Sequence, residues 1–559
     1  LRRLERLKTE FGEVAAREKR GLLRTLERGR LRAAGEVRRL HALLCFLRAY
    51  PDGPELLRRV EAMLSRFDRR GDLKRHRGAL TDSGIAGTDI VYTFFAATAL
   101  WLARRWPGNL SIEWKDVEEP ERLRRFLPLL ALPTEQPGLD EYESIPVKEW
   151  LARFKGPAET DASFLIRRFA ALGRGSRQWE VFYEDLGLPL RLAPGVGTPA
   201  QTRAKYPKLP VVFQTGPLRR SRPRLPADVL QPPVSVRFLA PAEGAKLIDL
   251  ARDSMVTRSR DLDAFAYADR NDVRLIDCGE GLQFACMGAL PERRLLLEAV
   301  YGFLTLKNGV PIGYALASAL FNSSEVAYNV FETYRGAEAA WVYGRVLATV
   351  RHLFRVDSFT VYPYQLGHQN DEGLESGAWW FYQKLGFRPR DRGLIRLMNA
   401  ELRRMKAQPA HRSSRSTLKR LVSKNVYYFI GKPRQDVIGI LPLGNVGLAL
   451  SRYLAERFGS AREEARRACT REAAKRLNLR SLRGFSPGER LAWERWSPLL
   501  LLIRGVEGWS GGEKRALVEI VRAKGGRRES DFVARFDRHP KLRRALLRLT
   551  LSFSPRNFA

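Results

Sequence analysis

The residues with the clearest chemistry lie in one run, Val330-Phe331-Glu332-Thr333-Tyr334-Arg335-Gly336-Ala337-Glu338-Ala339-Ala340, where an extended apolar segment gives way to a helix. A helix starts with N–H groups that have no intrahelical acceptor, and its dipole concentrates positive charge there. Gly336, Ala337, Ala339 and Ala340 are small enough for the backbone to approach an anion closely, so the junction can cradle a pyrophosphate. Glu338 cuts across this: a carboxylate facing that anion repels it unless it points away. An acidic residue in a first helical turn is also favoured by the dipole alone. For proton transfer the nearby candidates are Glu332, Glu325 and His368, the imidazole being suited to pH 7 although an isolated loop histidine is commonly just solvated. Asp371, Glu372 and Glu375 form an acidic loop that can receive a cationic amine or simply face water.

Other motifs are weaker. Gly439–Gly447 precedes a helix but lacks the G-x-G-x-x-G spacing and contains Pro442. Gly505–Lys514 has Glu513 where a phosphate-binding loop needs its last glycine, and Arg515 where it needs Ser or Thr. Cys45, Cys278, Cys286 and Cys469 include no C-x-x-C pair, so neither a zinc site nor a disulfide framework is expected. Trp493, Trp496 and Trp509 read as helix core anchors.

The elements that must position these residues follow from periodicity. Ser235–Leu239 reads as extended, Ala242–Asp253 as helical, and Leu282–Met287 and Leu295–Leu306 as strands. Lys307-Asn308-Gly309 is a hairpin signal, because Asn-Gly accepts the positive φ values of a type I′ turn. Ile312–Phe321 returns as a strand and Glu325–Phe331 is another. Tyr343, Val346, Leu347, Val350 and Phe354 then share one helix face. Ser358–Tyr362 is a further strand and Ala378–Leu385 a short helix stopped by Gly386.

Two stretches in this order resemble the GNAT superfamily of N-acetyltransferases. Val330–Gly336 is similar to the family's passage from its fourth strand into the acyl-CoA loop, usually V-x-P-x-aromatic-R/Q-G-x-G-x-G/A. Ala378-Trp379-Trp380-Phe381-Tyr382-Gln383-Lys384-Leu385-Gly386-Phe387 is similar to the family's A-x-x-x-Y-x-x-L/N-G-F signature. The resemblance implies an α/β (α+β) GNAT-like mixed sheet in the centre of the chain. It implies acetyl-CoA or another acyl-CoA as co-substrate, held by Val330, Glu332, Arg335, Gly336, Ala337, Glu338, Ala339 and Ala340, with Val330 and Glu332 bonding the pantetheine arm through their backbone. It implies Tyr382 as the acid that protonates the leaving thiolate, with Glu332 or His368 as base. The departures are Glu338 in place of the loop's central glycine and Glu375 in place of an asparagine. The expected activity is transfer of an acyl group from acyl-CoA to an amine of unidentified nature. Transfer from an aminoacyl-tRNA, as in Fem-like relatives, and a catalytically degenerate scaffold are the alternatives.

The 559 residues carry 98 Lys plus Arg against 62 Asp plus Glu, a net charge of +36 that favours polyanionic partners. The central segment is nearly balanced, so the excess sits almost wholly in the connector and the two helical flanks, and nucleic acid is a possible partner through those flanks. Arginine dominates over lysine, which codon bias also produces. The longest apolar run, Ile90–Ala103, is too short to span a bilayer and reads as a buried helix. The charged opening lacks the apolar core of a secretory leader, and a cytoplasmic protein is expected. Prolines recurring over 189–233 suggest a connector, in which Val211–Phe213 can add a strand. The expected plan is therefore a helical domain 1–188, a Pro/Arg-rich connector 189–233, a GNAT-like domain 234–400 and a basic helical domain 401–559.

Overall fold

The computed structural model describes residues 1–173, 177–207 and 209–552. The chain is mixed α/β and divides into two compact units. The first comprises 1–218, 246–267 and 307–312; the second comprises 219–245, 268–306 and 313–559.

The first unit is mainly helical, as expected, but contains a small antiparallel sheet. β1 (Ile90–Tyr92) and β2 (Leu110–Ile112) flank β3 (Leu190–Leu192). The apolar run thus divides into a strand and the Ala96–Arg105 helix, because β-branched and aromatic Ile90-Val91-Tyr92 suit a pleated surface better than a helix. The 189–233 stretch is not a free connector. Its start supplies β3, residues up to 218 belong to the first unit, and Val211–Phe213 forms no strand.

The second unit is built on a sheet of nine strands among the described residues, of which only 307–312 are assigned to the first unit. Its strands are β4 (Ser235–Phe238), β5 (Ala268–Asp277), β6 (Leu282–Ala289), β7 (Ala299–Lys307), β8 (Val310–Leu320), β9 (Ser323–Val330), β10 (Ser358–Val361), β11 (Arg388–Pro389) and β12 (Val426–Phe429). Across the sheet the order is β11-β12-β10-β9-β8-β7-β6-β5-β4. Asn308 and Gly309 take φ values of 51° and 78°, the positive pair that the hairpin signal calls for. The β9–β10 pair is parallel and is joined by the 16-residue Ala339–Phe354 helix, since parallel neighbours need a crossover.

A boundary at residue 400 does not hold. β12 lies between β11 and β10 in the sheet, and Trp493 and Trp496 share one hydrophobic core with Tyr301, Phe303 and Tyr343. Trp496 Nε1 donates to the Leu296 carbonyl at 2.9 Å. Beneath β5 and β7 runs a buried polar network. Arg274 reaches Asp272 at 3.1 Å, the Tyr301 hydroxyl donates to Asp272 at 2.6 Å, and the Ser530 N–H donates to that hydroxyl at 2.8 Å. Lys524 pairs with Glu529 at 2.6 Å, both almost wholly buried. Burial pushes the Glu529 carboxyl up and the Lys524 ammonium down, against their mutual attraction. Removing one member of such a pair strands the other in a medium of low polarity.

Lys524→Met is therefore expected to cost about 3–5 kcal/mol in denaturant unfolding, and Lys524→Met with Glu529→Leu is expected to recover most of that loss.

Candidate active site at the fork between two parallel strands

β9 and β10 pair only through Ser323–Glu325 and Ser358–Thr360. β9 continues to Val330, paired with β8 on its other side as far as Gly313 opposite Val330. Beyond Glu325 the β10 side of β9 is therefore an open backbone edge. A Cβ at Gly313 would sit 2.4 Å from the Asn329 carbonyl oxygen, so glycine there lets β8 and β9 approach.

The opening holds a cavity of about 330 Å³. Its walls are Tyr328, Asn329 and Val330 of β9, Arg335 and Gly336 of the following turn, and Ala339 at the start of the Ala339–Phe354 helix. The opposite wall is Gln365, Asn370, Glu372, Gly373 and Ser376, with Ala378, Phe381 and Tyr382 of the Ala378–Lys384 helix. This volume is at the lower end for a ligand pocket and suits one part of an extended ligand.

The turn is shaped for anion contact. Gly336 has φ +76°, a left-handed conformation that side chains resist, and a Cβ there would meet nothing within 4 Å. The backbone is thus approachable from the cavity at Gly336, and the first turn of the helix presents its unpaired N–H groups alongside. Glu338 is turned inward: it is buried and accepts a hydrogen bond from the Arg219 N–H at 3.2 Å. It does not line the cavity. Arg335 and Glu372 face each other across the mouth as an ion pair, each about half exposed, so the pair itself adds little stability. The Asn329 Oδ1 is buried and has no hydrogen-bond partner among the described residues, an acceptor left for a ligand N–H.

Tyr382 belongs both to the core and to the cavity wall. Its ring packs against Tyr343 at 5.5 Å and Phe387 at 5.8 Å, and its side chain also lines the cavity. Burial pushes the phenol well above its ordinary range, so it stays protonated and able to donate.

The expected sites are only partly brought together. Val330, Arg335, Gly336, Ala339 and Tyr382 converge on the cavity; Ala337, Ala340 and Glu338 do not line it. Glu332 is exposed on the Glu332–Tyr334 turn and His368 is exposed on its loop, and neither lines the cavity. Glu325, the third candidate, does not line the cavity either; it sits at the fork as the last residue of β9 paired to β10. Burial first, and then the neighbouring Glu298, raises the Glu325 carboxyl to about 7. Tyr362, just past β10, is pushed up to about 12 by burial and by Glu325 and Glu298. Asn329 and Glu298 carried no motif and became visible only through their position.

The Glu325 shift has a stability consequence. A carboxyl whose folded value lies above its unfolded value favours the fold while protonated, and that contribution drains away as pH rises through about 7. Glu325→Gln is expected to leave stability nearly unchanged at pH 4, below the unfolded carboxyl value of 4.5. It is expected to raise stability at pH 8, with a ceiling of about 3 kcal/mol, read from denaturant midpoints at the two pH values.

Comparison with protein-family models, with curated proteins and with solved structures finds no match for this chain.

Proposed function

We propose that this protein is an acyltransferase resembling the GNAT superfamily, which moves an acyl group from acyl-CoA to an amine. The observation that carries the reading is the fork itself: an open strand edge, a glycine turn and a helix N-terminus meet on one cavity. These suit the two unlike parts of a CoA thioester. The open edge of β9 with the orphaned Asn329 oxygen suits an amide-bearing arm, and the Gly336–Ala339 turn with Arg335 suits a pyrophosphate. Glu338, turned onto the Arg219 N–H, leaves that turn free of a facing carboxylate, which favours acyl-CoA over the aminoacyl-tRNA alternative.

In the proposed reaction the amine lone pair attacks the thioester carbonyl carbon. Glu325 takes the amine proton, and a carboxyl titrating near 7 is well matched to that task. The tetrahedral oxyanion collapses, the C–S bond breaks, and Tyr382 supplies the proton that the departing thiolate needs. A phenol kept neutral by burial is in the right form for this step.

Calorimetric titration with acetyl-CoA and with free CoA tests the reading. Saturable binding in the micromolar range is expected, weakened at least tenfold by Gly336→Asp, which puts both a side chain at φ +76° and a negative charge into the turn. No binding at millimolar ligand would remove acyl-CoA as the donor.

With an amine acceptor found by screening, kcat/KM is expected to rise as pH climbs through about 7, and Glu325→Gln is expected to abolish that limb. Tyr382→Phe is expected to lower kcat by about 10²–10⁴-fold with little change in acetyl-CoA affinity.

A further inference from the structure

The segment between β11 and β12 is a helical insert made of the Arg392–Ala407 and Arg415–Leu421 helices. From residue 392 to 424 it carries ten basic residues: Arg392, Arg396, Arg403, Arg404, Lys406, Arg412, Arg415, Lys419, Arg420 and Lys424. It has one acidic residue, Glu401. All ten cations are exposed, whereas Glu401 is buried and held by Arg404, His411 and Ser413. Nine net charges in 33 residues is about four times the density of the whole chain, with its +36 over 559 residues. Diffuse arginine enrichment therefore does not account for this patch.

The patch is also ordered. Arg392, Arg396, Asn399, Arg403 and Lys406 fall at i, i+4, i+7, i+11 and i+14, one exposed stripe of the first helix. The opposite stripe, Leu394, Met398 and Glu401, is buried, so the helix is fixed with its cations outward. The stripe spans roughly 21 Å at 1.5 Å per residue. Arg392 and Arg396 repel each other at i, i+4, and a cation in the first turn opposes the helix dipole. Folding alone gives no reason for this arrangement. Among the described residues, only Arg404 and Arg415 of the ten have a carboxylate partner.

We propose that this stripe docks double-helical nucleic acid through its phosphodiester backbone. Duplexes present regularly spaced phosphates along the axis, and roughly 21 Å matches about six phosphate steps of one strand. The stripe holds no aromatic side chain for stacking unpaired bases, which favours a duplex over a single strand. Its four cations address phosphates, contacts that carry no sequence information. A membrane surface fits less well, because the helix's apolar face is already buried. The second helix approaches the candidate site, with Arg415 pairing to Asp371 at 2.6 Å and to Glu375 at 3.5 Å on the Asp371–Glu375 helix, whose Glu372 and Gly373 line the cavity. The inference stands whether or not the acyltransferase reading does.

The test is fluorescence anisotropy of the full chain with labelled RNA and DNA duplexes of about 20 base pairs, between about 50 and 200 mM salt. Both duplexes are expected to bind within a few-fold of each other, with affinity falling steeply as salt rises. The variant Arg392→Gln, Arg396→Gln, Arg403→Gln, Lys406→Gln is expected to lose at least tenfold in affinity and to flatten the log–log salt slope by about 3. Arg28→Gln, Arg30→Gln, Arg38→Gln, Arg39→Gln removes the same charge from exposed positions elsewhere, and is expected to lose less than threefold. Circular dichroism checks that both variants fold. Equal losses in the two variants would overturn the proposal. So would absent duplex binding, or capture only by vesicles containing anionic lipid.

Discussion

Parallel strands β9 and β10 stay together for three residues and then separate, and the candidate site exists because of that separation. A strand inside a sheet satisfies its backbone on both sides, whereas past Glu325 the β10 side of β9 is left open. Exposed polar backbone beside an apolar interior invites a ligand that can pair with it, as an edge strand invites another strand. The crossover helix required by the parallel pair starts at the far end of the same gap. Open edge, glycine turn and helix N-terminus thus meet through one topological fact.

The electrostatics are divided across the fork. On the cavity side, Glu338 is drawn inward by the Arg219 N–H and Tyr382 is held neutral by its aromatic surroundings. At the fork, burial first, and then the neighbouring Glu298, raises the Glu325 carboxyl. Tyr382 and Glu325 are each tuned by desolvation more than by a specific partner.

The C-terminal helices are part of the same folding unit as the sheet, and the reason is the covering of its face. Strands buried on both sides need a second layer, and Trp493, Trp496, Phe532 and Phe536 provide it in one continuous core with the strands. The Asp272–Arg274–Tyr301–Ser530 network ties that layer to the sheet through directional hydrogen bonds.

Much of the large sheet and of the helices beside it is legible in the sequence, because the signals are local. The Asn308-Gly309 turn, the apolar face of the Ala339–Phe354 helix, the Gly336 turn and the short helix ending at Gly386, with φ +109°, follow from steric preference and periodicity over a few residues. β5 and β12 escape that reading. Ala268–Asp277 mixes charged and apolar residues, since Asp272 and Arg274 are buried against partners more than 250 residues away, and Val426–Phe429 is four residues inside a helical context. The choice among Glu332, His368 and Glu325 likewise could not be made from spacing: Glu332 and His368 are exposed, and only the strand pairing reveals which carboxylate is desolvated. The sequence alone thus determined the individual strands, turns and helix starts, which depend on nearest neighbours. Tertiary structure decided the sheet order, the fork and the burial of Glu325, because burial and pairing are set by residues far apart in the chain.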